Sequence, residues 1–115
     1  MRRILVVDDH EDLLDGLESI FRGAGHDAIA CSSFEVAQQL LRTTPYDVLI
    51  TDVRLGAFNG LQLALLARAL YPRIRLIVFS GFDDPVLRAE AEQIGAVYMV
   101  KPVTGSVLLE VATGP

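Results

Sequence analysis

Five polar side chains, Asp8, Asp9, Asp52, Ser80 and Lys101, each stand where a short apolar run stops, and this placement constrains the fold more than any other feature of the chain. The runs are Ile4–Val7, Val48–Ile50, Leu76–Phe79 and Val97–Val100, with a weaker one at Ala28–Cys31. Between them lie longer segments whose apolar residues recur at helical spacing. Short apolar strands alternating with amphipathic helices predict a parallel sheet with right-handed crossovers and helices on both faces. The expected fold class is α/β, a doubly wound five-stranded parallel sheet with a short final helix. In such a sheet ligands sit outside the carboxyl ends of the strands, so the five polar side chains are expected to meet there.

Local signals place the elements. A first helix is expected over 11–24, with Leu13, Leu14, Leu17, Ile20 and Phe21 as its inner face and Gly25 as its stop. Ser32 or Ser33 offers an N-cap for a second helix to about Arg42, and Pro45 breaks the chain before the strand 47–51. Asp52 then opens the loop Val53–Gly60, whose Gly56, Asn59 and Gly60 suit turn conformations. A third helix over 61–70 stops before Pro72. Asp84 and Pro85 read as the cap and first turn of a fourth helix to about Ile94, closed by Gly95. A short last helix is expected over 104–112, with residues 113–115 frayed.

A chain of 115 residues is expected to form one domain over 1–115, large enough to bury a core without disulfides. Ten Lys and Arg against fifteen Asp and Glu give a formal charge of −5, which argues against direct nucleic-acid binding by this domain. The lone Cys31 has no internal partner for a disulfide, and its place after Ala28-Ile29-Ala30 suits a buried, reduced thiol and a cytoplasmic setting. Asp8-Asp9-His10-Glu11-Asp12 cuts the first apolar run to four residues, too few for a signal peptide or a membrane span.

The chemistry expected at the strand ends follows from charge. Three crowded carboxylates, Asp8, Asp9 and Asp52, repel one another and are best tolerated around a cation. Mg²⁺ suits them, being a hard ion held by one or two carboxylates, waters and phosphate oxygens. A lysine is a compact partner for a phosphoryl oxygen, and a serine hydroxyl can donate to another. Lys101 and Ser80 therefore extend the cation site into a phosphate clamp. His10 and His26 read as solvated loop residues and are assigned no role.

The acid pair Asp8-Asp9, Asp52, Ser80-Gly81 and Lys101-Pro102, at successive spacings of 43, 28 and 21 residues counted from Asp9, resemble the receiver domains of two-component response regulators, whose fold is the flavodoxin-like (βα)5 sheet. The resemblance covers Ile4 to about Val111. It implies that Asp52 is the nucleophile that takes a phosphoryl group from the phosphohistidine of a sensor histidine kinase or phosphotransfer protein. It further implies that Asp9 and Asp52 bind Mg²⁺ directly, that Asp8 does so through water, and that the Arg54 carbonyl completes the ligands. Lys101 and Ser80 would contact the phosphoryl oxygens, and a shift of the loop after Ser80 would be coupled to Tyr98 turning inward. A cis Lys101–Pro102 peptide is implied as well. The domain would at most catalyse its own phosphorylation and dephosphorylation, and would signal to an output domain or protein effector. Two departures are visible. Leu55-Gly56-Ala57 replaces the Met-Pro-Gly turn of many relatives, leaving loop rigidity open, and the bulky Arg54 and Phe82 occupy positions expected to slow water's approach to a phosphorylated Asp52. The last helix has no Lys or Arg from Val103 onward, so a monomer or weak dimer is expected.

Other readings account for fewer residues. A haloacid-dehalogenase-type phosphatase needs a general acid two residues after its nucleophile, where this chain has Arg54, which cannot donate a proton in that role. A flavin binder needs a Ser/Thr/Gly-rich phosphate loop where this chain has Asp8-Asp9-His10-Glu11-Asp12. The remaining alternative is a degenerate receiver that binds proteins without being phosphorylated.

Overall fold

The computed structural model describes all 115 residues. Strands β1 (Arg3–Val7), β2 (Asp27–Cys31), β3 (Val48–Asp52), β4 (Arg75–Ser80) and β5 (Val97–Val100) form one parallel sheet in the order β2-β1-β3-β4-β5. Helices α1 (Glu11–Gly23), α2 (Phe34–Thr43), α3 (Gly60–Leu70), α4 (Pro85–Gln93) and α5 (Gly105–Thr113) connect the strands or close the chain. The five expected strands and five helices are all present, with ends displaced by one or two residues. No helix is long and apolar enough to cross a membrane.

Alternation along the strands divides the core in two. Ile4, Val6, Val48, Ile50, Ile77 and Phe79 face α1 and α5, while Leu5, Val7, Leu49, Leu76, Val78 and Tyr98 face α2, α3 and α4. Each large apolar side chain buried in this way contributes about 2 kcal/mol relative to exposure. β3 lies at the centre and is buried at every position, including Asp52.

The capping residues explain where the helices begin. Ser33 Oγ accepts from Val36 N at 3.3 Å, Asp84 Oδ1 from Val86 N at 2.9 Å and Thr104 Oγ1 from Val107 N at 3.3 Å. Residue 113, expected to fray, instead belongs to α5, and the Arg75 guanidinium donates to the Val111 and Gly114 carbonyls at 2.8 Å each. Those carbonyls have no partner within the helix, and a cation there is favourable.

Three further expectations change. Leu14, Leu17 and Phe21 are buried as expected, but Leu13 is only partly so and Ile20 is 38% exposed, its side chain lying against Gly105 at the N-terminus of α5. Cys31 is half-buried rather than buried; its Sγ lies 3.9 Å from the Ser33 carbonyl, and burial pushes the thiol above its ordinary pKa. The 53–60 loop is tied down: Arg54–Leu55 pairs antiparallel with Phe58–Asn59, Gly56 takes a φ of 62°, Leu55 is buried, and Phe58 stacks on Phe34 at 4.5 Å between ring centroids.

Gly60 closes that loop against the strand bearing Asp52. Its N–H donates to the Val53 carbonyl at 2.6 Å, and a Cβ there would collide with the Asp52 carbonyl and lie 2.7 Å from Thr51 Oγ1. Gly60→Ala is therefore expected to cost about 2 kcal/mol through overpacking. Urea unfolding tests this, and a loss below about 0.5 kcal/mol would show that the strand and loop yield freely.

Candidate functional site

Strand register assembles the site. Val7 pairs with Thr51, so Asp8 and Asp52 follow side by side at the ends of β1 and β3. Asp52 pairs with Phe79, so Ser80 stands one residue beyond it on β4. Ser80 pairs with Val100, and the Lys101 N–H continues the ladder to the Ser80 carbonyl at 2.7 Å. The Lys101–Pro102 peptide is cis.

Asp9, His10, Asp52, Arg54, Ser80, Gly81, Phe82 and Lys101 line a cleft of about 260 Å³. Beneath it Lys101 Nζ donates to Asp8 Oδ2 at 2.9 Å and to Asp52 Oδ2 at 3.2 Å, and lies 4.8 Å from the Phe79 ring centroid. Asp8 is fully buried, Asp52 is 6% exposed and Ser80 4%. Asp9 reaches outward with about half its side chain exposed. The Arg54 N–H donates to Asp52 Oδ1 at 3.4 Å, and the Arg54 guanidinium lies 5.5 Å from the Phe82 ring centroid at the mouth of the cleft.

Tyr98 lies behind the loop that follows Ser80. It is buried, donates its hydroxyl to the Phe82 carbonyl at 2.8 Å, and carries the Arg88 guanidinium 4.8 Å from its ring centroid. Phe82 N donates in turn to Ser80 Oγ at 3.2 Å, so Phe82 joins Ser80 to Tyr98.

His10 is the residue missed by sequence reasoning. Its Nδ1 is 2.9 Å from Asp8 Oδ1 and 3.1 Å from Asp9 Oδ1. Position directly after an acid pair was the available signal, but the direction of the ring depends on the tertiary fold. His26, by contrast, lies away from the site and accepts the Arg2 N–H at 3.0 Å.

The electrostatics follow from these contacts. Burial raises the Asp8 pKa, but hydrogen bonds from Lys101 and His10 outweigh it and hold the carboxyl below its ordinary value. At Asp52 burial dominates and, with the neighbouring Asp8 charge, leaves the carboxyl raised despite Lys101. Burial works against the Lys101 ammonium, but its hydrogen bond to Asp8 and the charges of Asp52 and Asp8 raise it above its ordinary value. The hydrogen bond to Asp8 and the charges of both aspartates raise His10.

One ligand atom each from Asp8, Asp9, His10 and Asp52 lies within 4.8 Å of the others. This oxygen-rich donor set fits a hard divalent cation. The opposite side of the cleft presents Lys101 and Ser80, so a cation and an anion can be held together.

The chain matches the family described as response regulator receiver domain over residues 4–113. It is a receiver domain of the response regulator family. Among curated relatives of this receiver, it is 33% identical over 105 residues to a response regulator receiver protein of Anaeromyxobacter sp. (strain Fw109-5), covering 90% of this chain and 44% of the relative. It is 29% identical over 109 residues to the response regulator protein FleR of Pseudomonas aeruginosa, covering 94% of this chain and 23% of FleR. The receiver thus spans less than half the length of these relatives. A receiver domain from Methanospirillum hungatei superposes with a TM-score of 0.90 at 25% identity, covering 96% of this chain and 89% of the other. A response regulator of Burkholderia pseudomallei, solved with a phosphorylated aspartic acid, calcium and citrate, has the same fold at a TM-score of 0.90 and 23% identity, covering 99% of this chain and 68% of the other. Receiver domains belong to two-component, phosphorelay signalling.

The raised Asp52 pKa has a stability consequence. A carboxyl raised above its ordinary 3.8 contributes stability when protonated, below that value, and loses it as pH rises through the raised one. Ionised Asp52 therefore costs stability at neutral pH. Asp52→Asn is expected to stabilise the domain at about pH 7, with the gain shrinking as pH falls toward 4. Urea midpoints at the two pH values check this; a gain that grows on acidification would contradict it.

Proposed function

We propose that this receiver accepts a phosphoryl group on Asp52 from the phosphohistidine of a sensor histidine kinase or phosphotransfer protein, in a reaction that depends on Mg²⁺. The observation that carries the reading is the convergence of Lys101 on Asp8 and Asp52 beside Asp9 and Ser80 at the carboxyl edge of the sheet. A carboxylate oxygen of Asp52 attacks phosphorus, forming an acyl phosphate O–P bond. The P–N bond to the donor imidazole breaks, and its electron pair returns to the ring nitrogen. Asp9, Asp52 and the Arg54 carbonyl would hold the Mg²⁺, with Asp8 acting through water, and the bound ion would supply positive charge against the phosphoryl oxygens.

Lys101 supplies the other half of that stabilisation. As the Asp52 oxygen becomes part of the acyl phosphate, a mixed anhydride, the Lys101 ammonium can leave that carboxylate for a phosphoryl oxygen while Asp8 continues to hold it. Ser80 offers its O–H to another oxygen and draws the following loop with it. Because Phe82 contacts both Ser80 and Tyr98, that movement changes the support of Tyr98 and biases two packings of one surface. The recipient of the signal is an effector protein or output domain. The charge of −5 favours a protein over nucleic acid as the direct contact, and a cytoplasmic setting accords with the unpaired Cys31.

Intact mass after incubation with acetyl phosphate tests the reading. A gain of one phosphoryl group that needs Mg²⁺ and disappears in Asp52→Asn is expected; no gain in a folded wild-type domain would favour phosphorylation-independent binding. In the same assay Arg54→Ala, which opens the mouth beside Phe82, is expected to lose the phosphoryl group faster, and an unchanged rate would remove Arg54 as a shield.

A further inference from the structure

His10 occupies the N-cap of α1, where a short polar side chain would normally accept a backbone N–H, yet its side chain caps nothing. Asp8 fixes the backbone instead: its Oδ1 accepts the His10 N–H at 2.9 Å. The ring is thereby brought over the acid pair, with Nδ1 2.9 Å from Asp8 Oδ1 and 3.1 Å from Asp9 Oδ1. The side chain is 70% exposed, so small rotations are not resisted by packing. Nδ1 also belongs to the same 4.8 Å group of ligand atoms as the Asp8, Asp9 and Asp52 oxygens.

We propose that His10 is an additional metal ligand of this receiver, and that its Nδ1 makes the site favour first-row transition ions such as Mn²⁺ and Co²⁺ relative to Mg²⁺. The inference rests on the divalent-cation reading above and adds a donor to it. Mg²⁺ favours oxygen and loses its waters reluctantly, whereas imidazole suits the later ions, with affinity rising from Mn²⁺ to Co²⁺. Nδ1 lies 2.9 Å from Asp8 Oδ1 and 3.1 Å from Asp9 Oδ1, so an ion held by these carboxylates would meet the imidazole nitrogen with little movement of the ring.

Calorimetric titration of the wild type and His10→Asn with Mg²⁺, Mn²⁺ and Co²⁺ tests the proposal. Asn supplies a favourable N-cap and removes the imidazole, so the variant is expected to fold. The variant should lose at least about tenfold in Co²⁺ and Mn²⁺ affinity while Mg²⁺ affinity changes less than about twofold. Pulsed electron paramagnetic resonance of the Mn²⁺-loaded wild type should show coupling to a directly bound imidazole nitrogen, absent from the variant. Equal changes for all three ions, or no nitrogen coupling in the wild type, would overturn this proposal while leaving an oxygen-ligated site intact. Failure of the wild type to bind any of the ions would overturn it together with the divalent-cation reading.

Discussion

Lys101 Nζ lies 2.9 Å from Asp8 Oδ2 and 3.2 Å from Asp52 Oδ2, and this one ammonium allows two carboxylates to sit out of water beside each other. Either carboxylate buried without a partner would cost several kcal/mol. Charge balance therefore dictates where three strands must end. Asp8 follows β1, Asp52 ends β3 and Lys101 follows β5, so a one-residue slip of any strand would reverse its side chains and separate the charges. The two apolar cores enforce the same register from either face of the sheet.

The balance is also incomplete, which makes it chemically useful. Lys101 contributes one positive charge against Asp8, Asp52 and the outward Asp9, and Asp52 retains a raised pKa despite it. A site in this condition is stabilised by added positive charge. The neighbouring loops hold fixed what such an addition would act on. Gly60 packs against the Asp52 backbone, the short hairpin is anchored by Leu55 and by the Phe34–Phe58 stack, and Phe82 ties Ser80 to Tyr98.

The sheet and the five pocket residues were legible because each signal was local: an apolar run of strand length, followed at once by a polar residue. Helix starts at Ser33, Asp84 and Thr104 were legible for the same reason. Contacts between distant segments were not. The 54–59 hairpin depends on an aromatic partner in α2, Ile20 packs against Gly105 of α5, a contact that a side chain at that position would crowd, and His10 turns toward Asp8 and Asp9 only once the backbone turn is formed. Nor does sequence show that Tyr98 is already buried with its hydroxyl on the Phe82 carbonyl.

The central claim is that Lys101 exchanges the Asp52 carboxylate for an incoming phosphoryl oxygen. A crystal structure with Mg²⁺ and beryllofluoride, a stable mimic of the phosphoryl group, tests it most directly. The account predicts beryllium joined to an Asp52 carboxylate oxygen, Ser80 Oγ and Lys101 Nζ each within hydrogen-bonding distance of a fluorine, and Lys101 still bound to Asp8. Lys101 remaining on an unmodified Asp52 carboxylate, with beryllofluoride absent or bound elsewhere, would contradict it.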